Sequence, residues 1–394
     1  MKILFLNWNG YGNEDLIDAF KKMGEEGKDI TLLVHDFDAH TKRDDAEFIA
    51  SFGETLRKDT PDMAFSYNYF PAVSVACQKE GVRYVSWVYD NPTVALFSYT
   101  LINSCNCVFL FDSKMYETFA SQGIKTVHYL PLAAPVERYD SIKLSDEDYV
   151  KWGGKVSFVG GLYNDRGNFY DRIKDKISDR SRGYLEGIMR SQMEIDGLDI
   201  VESSLTAPVL EDMVKALDLH PNSDGVESYE YLYSNYVLHR KITSVERREI
   251  LEMTGAEYPV NLYTNDSSFA AAGVDNRGLI DYYNEMPKVF KASDINLNIT
   301  LRSIQKGIPL RALDIMACGG FLLTNYQEDM FRFFTPGEDF VYYESRQDLM
   351  EKIGYYLEHE DERMRISQSA LSRMRSEHTI RQRLEQILDI AGRA

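Results

Sequence analysis

The sequence predicts an α/β protein of two doubly wound domains, the second interrupted by a helical insert. Three observations carry that prediction. Up to about Pro135, short apolar strands alternate with amphipathic helices, the pattern of a parallel sheet with right-handed crossovers. At 394 residues the chain is too long for one ordinary core and suits two domains. The stretch Ser293–Asn325, SDINLNITLRSIQKGIPLRALDIMACGGFLLTN, reads as strand, basic loop, helix and strand.

In the first half, strands are predicted at Lys2–Leu6, Ile30–Val34, Met63–Tyr67, Arg83–Tyr89, Cys107–Phe111 and Thr126–Leu130. Helices are predicted at Glu14–Met23, Asp44–Lys58, Pro71–Lys79 and Lys114–Gln122, with Gly24, Gly81 and Gly123 at their ends. Function in such sheets sits at the carboxyl ends of strands, and three loops there carry polar groups. The first, Asn7 to Asn13, spaces its glycines G-x-G but lacks the third glycine of a dinucleotide fingerprint. NAD binding is therefore disfavoured, and Asn9, Gly10 and Tyr11 read as an open loop that admits an acceptor. In the second, Tyr89-Asp90-Asn91-Pro92, Asp90 is placed as a general base would be, although the same residues suit an Asx turn before proline. In the third, Asp112 is expected to cap the following helix.

The run Glu137–Tyr149 is acidic and poor in apolar residues, and reads as a connection, so the domains are drawn at 1–150 and 151–376. Lys155–Val159 begins a second sheet and runs into Gly160-Gly161, whose backbone a ligand can approach closely, with Arg166 just beyond. From about 168 to 253 no convincing strand appears, and amphipathic stretches such as Arg182–Met193 and Val245–Glu252 make a helical insert whose tyrosines read as packing. Val260–Tyr263 resumes the sheet, and Gly278–Tyr283 is expected to add a short edge element. Phe340–Tyr343 is a further strand. The last helix, within 377–394, is expected to return to the first domain.

Composition narrows the function. A formal charge of −18 argues against nucleic acid or an anionic membrane as partner. No stretch approaches the apolar length of a membrane span, and MKILFLNWNG is too short an apolar run for a signal peptide, so a cytoplasmic protein is expected. Cys105 and Cys107 are spaced C-x-C without a nearby His or second pair, so Cys77, Cys105, Cys107 and Cys318 read as free thiols rather than zinc ligands.

The Ser293–Asn325 unit carries the chemistry. A loop of this kind at a sheet's carboxyl edge places amides and a helix start where an anion can sit. Arg302, Lys306 and Arg311 add three cations, and Asp314 lies three residues beyond Arg311 on the same helix face. A diphosphate beside a ribose diol fits: cations for the phosphates, a carboxylate for two hydroxyls.

The whole resembles a GT-B glycosyltransferase, two Rossmann-like domains facing a cleft, and most closely the CgeB-type (spore maturation protein-like) group with its group 1-like C-terminal domain. The resemblance rests on Ser86 to Pro92, Phe158-Val159-Gly160-Gly161-Leu162-Tyr163, Ile295-Asn296-Leu297-Asn298, Pro309 to Asn325, and His378-Thr379. It implies a nucleoside-diphosphate sugar bound by the C-terminal domain, with Gly160, Gly161, Arg166, Asn298, Arg302, Lys306, Arg311 and Asp314 on the donor side. It also implies a protein, surface glycan or metabolite as acceptor over the N-terminal domain, a hexosyltransferase-like activity and no obligatory metal or cofactor. Two glutamates eight positions apart in retaining relatives are matched here by Lys306 and Asp314, so only the second keeps its carboxylate. Asp36-Phe37-Asp38 is read as a coincidental D-x-D rather than a metal pair. A sugar-nucleotide epimerase of the same architecture and a non-catalytic nucleotide-sugar binder are the competing readings.

Overall fold

A computed structural model describes residues 1–165 and 167–393. They form two compact units. The first takes Met1–Ala133, Pro221–Glu227 and the chain from His378 onward; the second takes Ala134–His220 and Ser228–Glu377. The stretch read as a connection folds within the second unit as two short helices, Val136–Ser141 and Asp146–Trp152, the latter started by a capping box of Ser145 and Asp148.

The sheet of the first unit has strands β1 (Lys2–Asn7), β2 (Thr31–Asp36), β3 (Met63–Tyr67), β4 (Arg83–Val88), β5 (Asn106–Leu110) and β6 (Val127–Tyr129). They are all parallel, in the order β2-β1-β3-β4-β5-β6. Strands β3 and β5 are buried at every residue, which is why they read as largely apolar runs. The crossover helices start where local chemistry lets them. Asp45 accepts from the Phe48 amide, Pro71 opens its helix without needing a hydrogen on nitrogen, and Asp112 accepts from the Lys114 amide. The final helix, Ile380–Arg393, packs on the helix Asn13–Glu25, and Arg383 donates to the Pro131 carbonyl at 3.1 Å.

The second sheet has β7 (Gly154–Val159), β8 (Val260–Tyr263), β9 (Val274–Asn276), β10 (Ser293–Asn298), β11 (Leu322–Asn325) and β12 (Val341–Tyr343). It is also all parallel, in the order β12-β11-β10-β7-β8-β9. The edge strand expected at Gly278–Tyr283 lies earlier, at β9. Gly278 takes φ +76°, a left-handed turn that breaks extended pairing, and 278–283 is loop. The helix Leu310–Ala317 ends as predicted, with Gly319 at φ +75°. At Gly320 a Cβ would stand 2.6 Å from the Phe290 carbonyl, so that position admits only glycine.

Among its described residues the insert is built of helices joined by loops, from Phe169–Ile173 to His239–Glu257, and adds no strand to either sheet. One π-helical segment, Tyr233–Leu238, runs directly into that last helix. Both sheets reverse strand order once, between β1 and β3 in the first unit and between β7 and β10 in the second. Ligands of open α/β sheets bind outside the strand ends at such reversals.

Candidate functional site

At the reversal in the second unit stands an arginine that sequence reasoning missed. Arg247 projects from the helix His239–Glu257 and is 8% exposed. Its Nη1 donates to the Gly161 carbonyl at 2.6 Å, and its Nε to the Ile299 carbonyl at 3.0 Å, with Nη2 on that same oxygen. One guanidinium thus ties the loop after β7 to the loop after β10. Its plane also lies over the rings of Phe158 and Tyr163, 5.3 Å and 4.9 Å from their centroids. Among the described residues no carboxylate forms an ion pair with it. Burial lowers its pKa, Tyr163 and Glu246 oppose that, and the neighbouring charge of Arg311 adds to it. A buried cation without a carboxylate ion pair among the described residues is a place where an anion would be welcome.

The glycine loop beside it is open. At Gly161 an added Cβ would meet nothing nearer than Asn265 Oδ1 at 3.8 Å, whereas at Gly160 it would press on the Phe158 ring at 3.2 Å. Gly160 is therefore closely packed, and Gly161 leaves room above the backbone. Tyr163 adopts φ +52°, and Arg240 lies over its ring at 4.8 Å while pairing with Asp165 at 3.2 Å. Arg166 lies outside the described residues.

The cations singled out in the sequence have other employment. Arg302 is fixed by two acids of the insert. Its Nε donates to Glu246 at 2.8 Å, its Nη2 to the same carboxylate, and its Nη1 to Asp196 at 2.6 Å. Burial alone would lower its pKa, but Glu246 and Asp196 together hold it above the ordinary arginine value. Arg302 is thus a clamp on the loop after β10 rather than a free phosphate ligand. Lys306 pairs with Glu328 at 3.2 Å. Arg311 faces Met286 and Asp314, the latter at 3.3 Å. Asp314 is 1% exposed and accepts a 2.7 Å hydrogen bond from the Tyr139 hydroxyl. One of its oxygens is thus taken from within the protein, where the ribose reading wanted a bidentate acceptor. Asn298 is buried and donates to Thr300 and Thr324 at 3.0 and 2.9 Å, finishing the sheet end.

In the first unit, Asp90 follows β4 and is held by Asn68, a residue that sequence reasoning also passed over. Asn68, at φ +68° after β3, donates Nδ2 to Asp90 Oδ2 at 2.6 Å and accepts the amides of Tyr89 and Asp90 at 3.0 and 3.2 Å. Asp90 remains exposed, yet the protein packed around its carboxyl raises its pKa, against the hydrogen bond from Asn68. Asn9 is exposed at φ +57°, and Tyr11 is 61% exposed. At Gly10 a Cβ would collide with the Trp8 ring at 2.3 Å. Asp36 and Asp38 turn to separate tasks, one accepting from Asn7 and the other from the His40 amide. Among the described residues no group of three or more His, Cys, Asp or Glu side chains is placed to hold a metal. No described helix is long and apolar enough to cross a membrane. All four cysteines are free.

Comparison with known proteins agrees with this architecture. Residues 240–389, which contain Arg247 and the Leu310–Ala317 helix, match a family model described as glycosyl transferase-like. No curated protein sequence matches. Among solved structures, Anabaena Alr3699/HepE in complex with UDP and glucose is similar over 100% of both chains, at 12% identity and a TM-score of 0.52. A glycosyltransferase from Rickettsia africae is similar over 100% of this chain and 98% of its own, at 11% identity and a TM-score of 0.54. Sucrose-phosphate synthase from Thermosynechococcus elongatus is similar over 100% and 99%, at 12% identity and a TM-score of 0.54. Two parallel six-stranded sheets with flanking helices, matched along the whole chain by these proteins, make this the GT-B fold.

Proposed function

We propose that this chain is a glycosyltransferase that moves a sugar from a nucleoside-diphosphate donor, held in the second unit, to an acceptor hydroxyl. The observation that carries the reading is Arg247, a buried guanidinium with no carboxylate ion pair among the described residues, set beside the open Gly161 backbone where the sheet order reverses. Breaking the bond between sugar and phosphate leaves negative charge on the departing diphosphate. A fixed cation in a low-dielectric site stabilises that charge as it develops and needs no reorganisation to do so. Arg311 stands close enough to Arg247 for their charges to interact, and an anion between them would relieve the repulsion. HepE was solved in complex with UDP and glucose, and a uridine nucleotide is the first donor to try here. In this reading the chain belongs with the CgeB-type group, works in the cytoplasm and uses its own cations where other transferases use a metal.

Asp90 is proposed as the base that takes the acceptor's proton. A carboxyl with a raised pKa stays protonated to higher pH, so the base form is lost as pH falls through the folded-state value. The acid limb of kcat/KM is therefore expected above the ordinary aspartate pKa of about 3.9. Asp90→Asn is expected to lower kcat by about 10²–10⁴-fold while leaving donor affinity unchanged. Equal loss of donor affinity would remove Asp90 from this role.

The direct experiment is a thermal-shift panel of UDP, GDP, ADP, CMP, dTDP and NAD on the purified chain. One nucleoside diphosphate is expected to raise the melting temperature, since a ligand at about a hundred times its Kd adds about 2.7 kcal/mol of stability. Stabilisation by NAD alone, or by none, would remove the donor site. Donor turnover then separates the reactions. A transferase releases nucleoside diphosphate when acceptor is present, an epimerase returns isomerised or free sugar, and a binder releases nothing.

A further inference from the structure

The acceptor side of the first unit is chemically particular. The loops after β1, β3 and β4 (Asn7–Asn13, Asn68–Phe70 and Tyr89–Pro92) contain no lysine, arginine or histidine. What they present instead is amides, one exposed carboxylate and aromatic rings. Trp8 is locked in place. Its indole N–H donates to the Tyr67 carbonyl at 2.7 Å, and its ring covers Gly10. It lies nearly parallel to Tyr89 at 6.1 Å and 18°, and Tyr89 in turn stacks on Tyr67 at 4.3 Å. Trp8 and Tyr89 are each half-buried, and Tyr11 stands exposed on the same loop as Trp8. The carboxylate is equally fixed. Asn68 takes Oδ2 of Asp90, and among the described residues Oδ1 accepts no hydrogen bond.

We infer that the acceptor is a neutral saccharide, lying with one sugar ring against the Trp8–Tyr89 aromatic face and one hydroxyl on Asp90 Oδ1; this rests on the transferase reading above. The electron-rich face of an indole or phenol takes the weakly positive C–H groups of a pyranose. Planar amides and carboxylates take its hydroxyls, which offer donor and acceptor on one atom. The side chains are already rigid, so little freedom is lost on binding. An anionic acceptor would meet Asp90 with no cation on these three loops to offset it. In this arrangement Asn68 is a positioning residue: it touches Asp90 and the backbone under it, and aims the free oxygen.

The test uses the full chain on an array of neutral and acidic oligosaccharides and serine-rich peptides, followed by titration of the best probe. Trp8 reports directly, because the other two tryptophans, Trp87 and Trp152, are 0% and 6% exposed. Binding is expected for neutral oligosaccharides only, with a saturable change in tryptophan fluorescence. Trp8→Leu and Tyr11→Ala are each expected to weaken it about tenfold, a difference of about 1.4 kcal/mol. Trp8→Tyr, which keeps a ring, is expected to bind nearly as the parent does and so controls for folding. Asn68→Ala is expected to lower kcat and move the acid limb of the pH profile with KM for the saccharide little changed. Capture of acidic glycans, of peptides alone, or of nothing overturns the inference. If that happens while a nucleoside diphosphate still stabilises the chain, the donor reading stands and only the acceptor class falls; if the nucleotide panel is also silent, both fall.

Discussion

Replacing Arg247 with methionine is expected to abolish measurable nucleoside-diphosphate binding. A charge-assisted hydrogen bond contributes about 1.5–3 kcal/mol, and two such bonds to phosphate oxygens correspond to a loss of at least about a hundredfold in affinity. The guanidinium is also a cross-tie. Without it the carbonyls of Gly161 and Ile299 lose a common donor, and the loops after β7 and β10 lose the contact that sets their spacing. Arg247→Lys separates the two contributions. It restores positive charge but only as a compact point, unable to reach both carbonyls in the forked geometry of a guanidinium. Its affinity is expected between that of the parent and that of the methionine variant. Calorimetric titration of all three decides the matter: a methionine variant that binds the nucleotide as tightly as the parent would place the donor elsewhere.

The second large effect is on stability. Arg302→Met is expected to cost about 3–5 kcal/mol, because removing one partner of a buried pair leaves the other charge uncompensated. Here Glu246 is 5% exposed and would keep no arginine at its carboxylate. The double variant Arg302→Met with Glu246→Met should recover much of that loss, since well-packed apolar side chains of similar volume replace such pairs at little cost. Urea denaturation midpoints of the two single variants and the double variant measure the coupling. Additive losses would show that the clamp between the insert and the loop after β10 is weaker than its geometry implies.

These two arginines also mark where the sequence could and could not be read. Strands such as β3, β5 and β11 were legible because parallel strands buried on both faces are mostly apolar. Helix ends were legible where glycine, proline or a capping side chain leaves no alternative, as at Gly319 and Pro71. Arg302 was visible as a cation in a loop. Its partners, Asp196 and Glu246, lie 106 and 56 residues away, so its commitment was not. The same holds for Asp314, whose Tyr139 partner is 175 residues distant. Arg247 had a signal that went unused. Thr243, Arg247, Ile250, Leu251 and Thr254 all lie on the buried side of one helix, and an arginine on a buried helix face calls for a partner, a ligand or a carbonyl cage. Asn68 had none: one asparagine after a strand looks like any turn residue.

The first unit is assembled from three separated stretches, closed by the helix Ile380–Arg393 against Asn13–Glu25 and by Arg383 on Pro131. This has a consequence for how the protein is born. A ribosome that has finished Ala133 must make 260 further residues before Arg393 exists, which at about 5–20 residues per second takes roughly 13–50 s. Throughout that interval the nascent first sheet waits with one helical face uncovered. The closing helix reaches it only once Arg393 has been made, so the first unit is finished after the second has been synthesised.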